Sequence, residues 1–221
     1  MPEGVEIRRC AEDLGPATKI LPAARAYRGQ DVPLLLCDDD RAYPPDWTRG
    51  FVRAARGRDG MCIARLGFDA AQVTGVAARA PVLPRARRRW RVTDADFQAR
   101  LLWRRLRHGA AAPEPGRRVF RRSGHVDIFE GCAGALLRPD FFDDTAFDIP
   151  AVAWAVDDVW LSGMLARRDI PIWLAANTRE PELTEAEPQA PLVTSVVAGN
   201  GRAAANRAAV AHLQKTFGIW R

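Results

Sequence analysis

Three consecutive carboxylates, Asp38-Asp39-Asp40, follow the apolar run Val32-Pro33-Leu34-Leu35-Leu36-Cys37. A short apolar run bounded by turn chemistry reads as a buried strand. In open α/β sheets, ligands gather just beyond the carboxyl ends of strands. Carboxylates crowded there repel one another, and a hard divalent cation is the usual remedy. Their spacing lets Asp38 and Asp40 reach one side of a loop, where a metal would neutralise a phosphate-bearing ligand. The plain alternative is a solvated turn or helix cap, because acidic pairs are common in loops.

Three more constellations have chemical potential. Glu130-Gly131-Cys132-Ala133-Gly134 has small residues that permit backbone approach to a ligand; a tight turn between strands needs the same residues. Asp157-Asp158 stands before Val159-Trp160 at an expected helix start, where N-capping and the helix dipole also favour Asp. That placement lowers a carboxylate's pKa, which keeps it ionised but makes it a weaker base. In Asp13-Leu14-Gly15-Pro16-Ala17-Thr18-Lys19, a glycine turn opens a helix and offers backbone N–H groups and an ammonium to a phosphate. An ordinary βα turn with a surface lysine would look alike.

The positioning elements follow from periodicity and breakers. The pattern predicts a short strand at Val5-Glu6-Ile7, a helix over 17–28, the buried strand 32–37, and a helix over 47–56 after the Pro44-Pro45 break. A strand from Met61 to Leu66 comes next. A helix over 94–107 places Phe97, Leu101, Leu102 and Leu106 roughly on one side. Strand signals return at 125–129 and 135–138, on either side of the glycine turn 131–134. A helix after Asp157-Asp158, a strand at 170–174 and a helix at 203–217 complete the chain. The acidic, proline-bearing stretch beginning at 178 and extending to 202 reads as a mobile loop.

The chain has 221 residues, 48% of them hydrophobic, which suits one domain with a packed core. Its formal net charge of +6 rests on arginine, the only lysines being Lys19 and Lys215. Such a surplus favours phosphates, nucleotides and anionic surfaces. Residues 79–122 hold fourteen arginines against Asp94, Asp96 and Glu114 and form an arginine-rich excursion. Cys10, Cys37, Cys62 and Cys132 are too scattered for a zinc site and read as reduced thiols. His125 and His212 read as structural or surface residues. No stretch has signal-peptide or membrane-spanning character. The expected location is the cytoplasm, with peripheral attachment to the inner face of a membrane through the arginine-rich segment.

Taken in order, the motifs resemble those of bacterial GT-A glycosyltransferases of the family 2 kind. The stretches that carry the resemblance are 13–22, Cys37-Asp38-Asp39-Asp40 with Tyr43-Pro44-Pro45, Phe129 to Gly134 with Leu137-Arg138-Pro139, and Asp157 to Ser162, with Gly218-Ile219-Trp220 as a family-like tail. The resemblance covers most of the chain, least well at 79–122. It implies an α/β, GT-A-like (Rossmann-like) domain over 1–221 with a mostly parallel central sheet and flanking helices. It further implies sugar transfer from a nucleotide-sugar donor to a glycan or lipid-linked acceptor, in cell-surface polysaccharide synthesis. Gly15, Lys19, Asp38 and Asp39 would hold the donor, and Asp38 and Asp40 a Mn2+ or Mg2+. Asp158, or its neighbour Asp157, would be the general base of an inverting displacement. Gly131, Cys132 and Gly134 would shape the acceptor pocket, and Trp160 would stack on a sugar face. Only about 30 residues precede the triplet, too few for the strand–helix–strand portion that binds the base in this family, since the crossover alone needs a dozen or more. The domain is therefore expected to be shortened at its N-terminus, which also admits an inactive homologue.

Two other classes fit parts of the pattern. An apolar strand followed by Asp-x-Asp also opens haloacid-dehalogenase-like phosphatases, whose first Asp is a nucleophile. Ala42 stands where those enzymes carry Thr or Val, and Lys215 is too near the end to serve as their lysine. Arg85 to Arg91 around Trp90, with Arg117, Arg118, Arg121 and Arg122, would suit nucleic acid. No nucleic-acid module signature accompanies them, which ranks this partner below a solvated basic face or one held against anionic lipid or an acidic partner.

Overall fold

A computed structural model describes residues 4–75, 83–184 and 201–220. In chain order its strands are β1 (Leu34–Leu36), β2 (Arg41–Ala42), β3 (Cys62–Ala64), β4 (Gly67–Phe68), β5 (Arg87–Arg88), β6 (Phe120–Arg122), β7 (Gly124–Val126), β8 (Ile128–Phe129), β9 (Ala135–Leu137), β10 (Ile172–Leu174) and β11 (Glu182–Leu183). The helices are α1 (Leu21–Ala26), α2 (Trp47–Ala55), α3 (Ala70–Thr74), α4 (Ala95–His108), α5 (Asp157–Arg167) and α6 (Arg202–Phe217). A 3-10 turn over Gly15–Lys19 precedes α1.

The fold is α/β, but the central sheet is mixed rather than mostly parallel. Its order is β1-β9-β3-β10-β7. Only β3 and β10 pair in parallel; β1 with β9, β9 with β3, and β10 with β7 are antiparallel. The strands β1, β3 and β10 do share a direction, as a βα pattern implies. The departure arises because β9, threaded between β1 and β3, and β7, at the edge beside β10, both run the other way. A short apolar triplet such as Ala135-Leu136-Leu137 carries no signal of direction.

The pleat divides the core. Ile63 and Leu136 face α2 and join Trp47 and Phe51 in a small cluster. Cys62, Ala64, Ala135 and Leu137 belong to the larger cluster, with Val159, Leu161 and Leu165 of α5 and Leu213 of α6. Alternate residues of one strand thus feed opposite layers. Helix α5 is buried along most of its length. At Gly163 an added Cβ would strike Leu213, so α6 rests directly on the α5 backbone.

Three further expectations need correction. Val5 to Ile7 is exposed and forms no strand, because a three-residue run with no neighbour cannot satisfy its backbone. In α4 only Phe97 and Leu101 point inward, while Leu102 and Leu106 are exposed. The supposed loop from 178 is ordered at its start. Glu182–Leu183 pairs with Arg41–Ala42, and Glu182 bonds Arg104 and the Gly116 amide. Residues 185–200 of that stretch, and 79–82 of the arginine-rich one, lie outside the described residues. No helix among the described residues is long and apolar enough to cross a membrane.

Candidate active site

The antiparallel pairing of β1 with β9 sets Leu36 opposite Ala135. The end of β1 therefore meets the start of β9, and the triplet after one strand lies beside the glycine turn before the other. Tyr43 joins them: its hydroxyl accepts from the Asp38 amide at 2.9 Å and donates to the Cys132 carbonyl at 3.0 Å. Trp47 Nε1 donates to the Ala133 carbonyl and pins the turn from the side of α2. From the opposite layer, Oδ2 of Asp158, in the first turn of α5, accepts from the Gly131 amide at 3.0 Å.

Lys19 reaches into the middle of this arrangement. Its Nζ lies 3.0 Å from Asp38 Oδ1, 3.1 Å from Asp157 Oδ2 and 3.8 Å from Asp158 Oδ1. The ammonium thus gathers carboxylates from two elements far apart in sequence. Gly131 leaves the room: a Cβ there would sit 2.7 Å from Asp158 Oδ1 and 2.8 Å from Lys19 Nζ. Close approach requires glycine here.

The electrostatics follow from burial. Burial alone would lower the pKa of Lys19, but Asp158, Asp157 and Asp38 outweigh it and hold it above the ordinary lysine value. Lys19 is therefore a fixed cation and not a base. Burial, with Asp157 adding repulsion, pushes Asp158 up to about 7, against the opposing effects of Lys19 and the Gly131 amide. The dipole argument from sequence, which anticipated a lowered value, is outweighed by desolvation. Burial also pushes the Cys132 thiol up to about 12 and raises Glu130.

Lys19, Asp38, Asp157 and Asp158 line a cleft of about 1110 Å³, together with Asp39, Asp40, Arg41, Glu130 and Cys132. Arg104, Arg117, Glu180 and Glu182 supply another part of its wall. The wall from the 113–117 loop and the β11 region was missed from sequence, since its partners lie far apart in the chain. Glu130 is legible in the sequence as the acidic residue leading the glycine turn.

Three sequence candidates lie away from the cleft. Gly15 has φ +57 and abuts Trp154, and its amide donates to Asp13, which removes it from any phosphate cradle. Gly134, at φ +94, packs against Trp47 and Phe51 on the α2 side. Trp160 is buried, with Nε1 donating to the Ala146 carbonyl at 2.8 Å, and cannot stack on a sugar. A helix start exposes only one flank, and Trp160 falls on the core flank.

Among the described residues, no three His, Cys, Asp or Glu side chains form a ready-made metal cage. The donor set still suits a hard cation that arrives with phosphate. Asp40 Oδ1 is buried without a hydrogen-bond partner, with Arg41 Nε 3.3 Å away. Both Asp38 and Asp40 line the cleft. Mg2+ commonly takes one or two carboxylates and completes its shell with phosphate oxygens and water. No family model, curated protein or solved structure matches the chain.

Proposed function

We propose that this cleft transfers a sugar from a nucleotide-sugar donor to a glycan or lipid-linked acceptor, on a GT-A-like fold and with inversion. The observation that carries the reading is the meeting of Asp38, Asp157 and Asp158 on one ammonium, with the Gly131 turn tied to Asp158. The motifs behind the family resemblance are thus neighbours in space as well as ordered in sequence. The arginines on the cleft wall suit a diphosphate.

Asp158 is the base of this reading. Its raised pKa suits an acceptor proton better than an ordinary carboxylate would. It takes the hydroxyl proton as the acceptor oxygen bonds to the anomeric carbon. The bond from that carbon to the diphosphate oxygen breaks on the opposite face, and the nucleoside diphosphate leaves as an anion. Asp38 and Asp40 would hold a Mn2+ or Mg2+, which supplies charge stabilisation to the departing diphosphate. Lys19 keeps Asp38, Asp157 and Asp158 in register.

Calorimetric titration with a panel of nucleotide sugars, with and without Mn2+, tests the reading. Metal-dependent binding of at least one donor, lost in Asp40→Ala, is expected. Binding of none, or trapping of an acyl-phosphate on Asp38 by a phosphomonoester, would replace the transferase with another chemistry.

A further inference from the structure

Helix α4 has two apolar faces. Phe97 and Leu101 enter the core. Ala95, Ala99, Leu102 and Leu106 recur at helical spacing on the opposite side, and all four are exposed. Leu102 is 61% exposed, Leu106 80%, and Trp103 beside them 44%. Just ahead of the helix, Trp90 and Val92 are 78% and 77% exposed. Singly exposed apolar residues need no explanation, but a run of this kind marks an interaction surface.

The charges around it narrow the partner. Arg105 and Arg107 flank the stripe and are exposed, and Arg107 lies over the Trp103 ring at 5.4 Å. The acids nearby are already engaged: Asp96 by Arg100 and Arg179, and Glu114 by Arg91. The net character is a leucine and tryptophan face rimmed by arginine. Nucleic acid offers aliphatic leucine nothing to stack on. An acidic protein groove would match the charge, but exposed tryptophan together with leucine and arginine suits the headgroup level of a bilayer.

The geometry points to α4 and the turn before it as a docking surface for anionic lipid, with the α4 axis in the plane of the headgroups. Leu102 and Leu106 enter the acyl boundary, Trp90 and Trp103 lie at headgroup depth, and Arg105 and Arg107 meet lipid phosphates. Arg104 of the same helix lines the cleft, so the docked surface borders the site. The surface does not depend on the sugar-transfer reading.

The test is co-sedimentation of the full chain with large vesicles of phosphatidylcholine and phosphatidylglycerol in equal parts, and of phosphatidylcholine alone. Binding to the anionic vesicles is expected, falling severalfold in about 1 M salt. The L102Q/L106Q pair should weaken it by about tenfold or more, and R105Q/R107Q should remove the preference for anionic lipid. All four positions are exposed, so unchanged circular-dichroism melting confirms folded variants. The proposal is overturned if the wild-type chain stays in the supernatant, or if both double variants bind as it does. It is equally overturned if L102Q/L106Q only converts a dimer to a monomer.

Discussion

The Gly131 amide donates to Oδ2 of Asp158 across 3.0 Å, so the turn before β9 and the first turn of α5 are held as one unit. Whatever strains that contact disturbs both the glycine turn and the proposed base. Gly131→Ala puts a methyl against Asp158 Oδ1 and Lys19 Nζ. The expected cost is about 1–3 kcal/mol of stability, with a loss of donor binding larger than the melting shift would suggest. Denaturation and donor titration on the same preparation check it.

Lys19→Met removes the shared cation and leaves Asp38, Asp157 and Asp158 facing one another. With these side chains largely buried, the expected loss is about 3 kcal/mol near neutral pH. Lys19 has a raised pKa, so its contribution is complete below the unfolded lysine value and disappears only as pH rises through the folded one. In the variant, Asp158 lacks the charge that lowers its pKa. The folded state then holds its proton more firmly than the unfolded state does, and stability should recover as pH falls. Urea midpoints from about pH 5 to 8 would show a deficit that widens with pH.

Asp158→Asn should leave the fold intact and lower the transfer rate by about 10²–10⁴. Because Asp158 must be ionised to act, the wild-type rate should climb with pH through about 7. Asp157 is one cause of that elevation, so Asp157→Asn should move the limb to lower pH. A profile of kcat/KM for both proteins checks the sign.

Tyr43→Phe deletes the hydroxyl between the Asp38 amide and the Cys132 carbonyl. About 1–2 kcal/mol of stability should go with it. Because the triplet loop loses its tie to the glycine turn, metal-dependent donor affinity should also fall. Calorimetry with Mn2+ present measures the second effect separately from the first.

The chain by itself determined several of the longer elements: the strand before Asp38, the helix beginning at Asp157, the helix over 94–107 and the closing helix all lie within a few residues of their observed bounds. Apolar periodicity, proline breaks and first-turn acids act over short distances, and those signals are written in neighbouring residues. It also marked Lys19, Asp38 and Asp158, because such groups near strand and helix ends invite a ligand.

Tertiary structure alone decided the rest. Strand direction depends on which strands become neighbours, so the reversal of β9 could not be read from Ala135-Leu136-Leu137. The same placement set Trp160 in the core, turned Gly134 toward Trp47, and used the Gly15 amide on Asp13. The raised pKa of Asp158 is not written in its neighbouring residues for a related reason. A helix dipole is a local property, whereas desolvation is imposed by every element packed around the carboxylate.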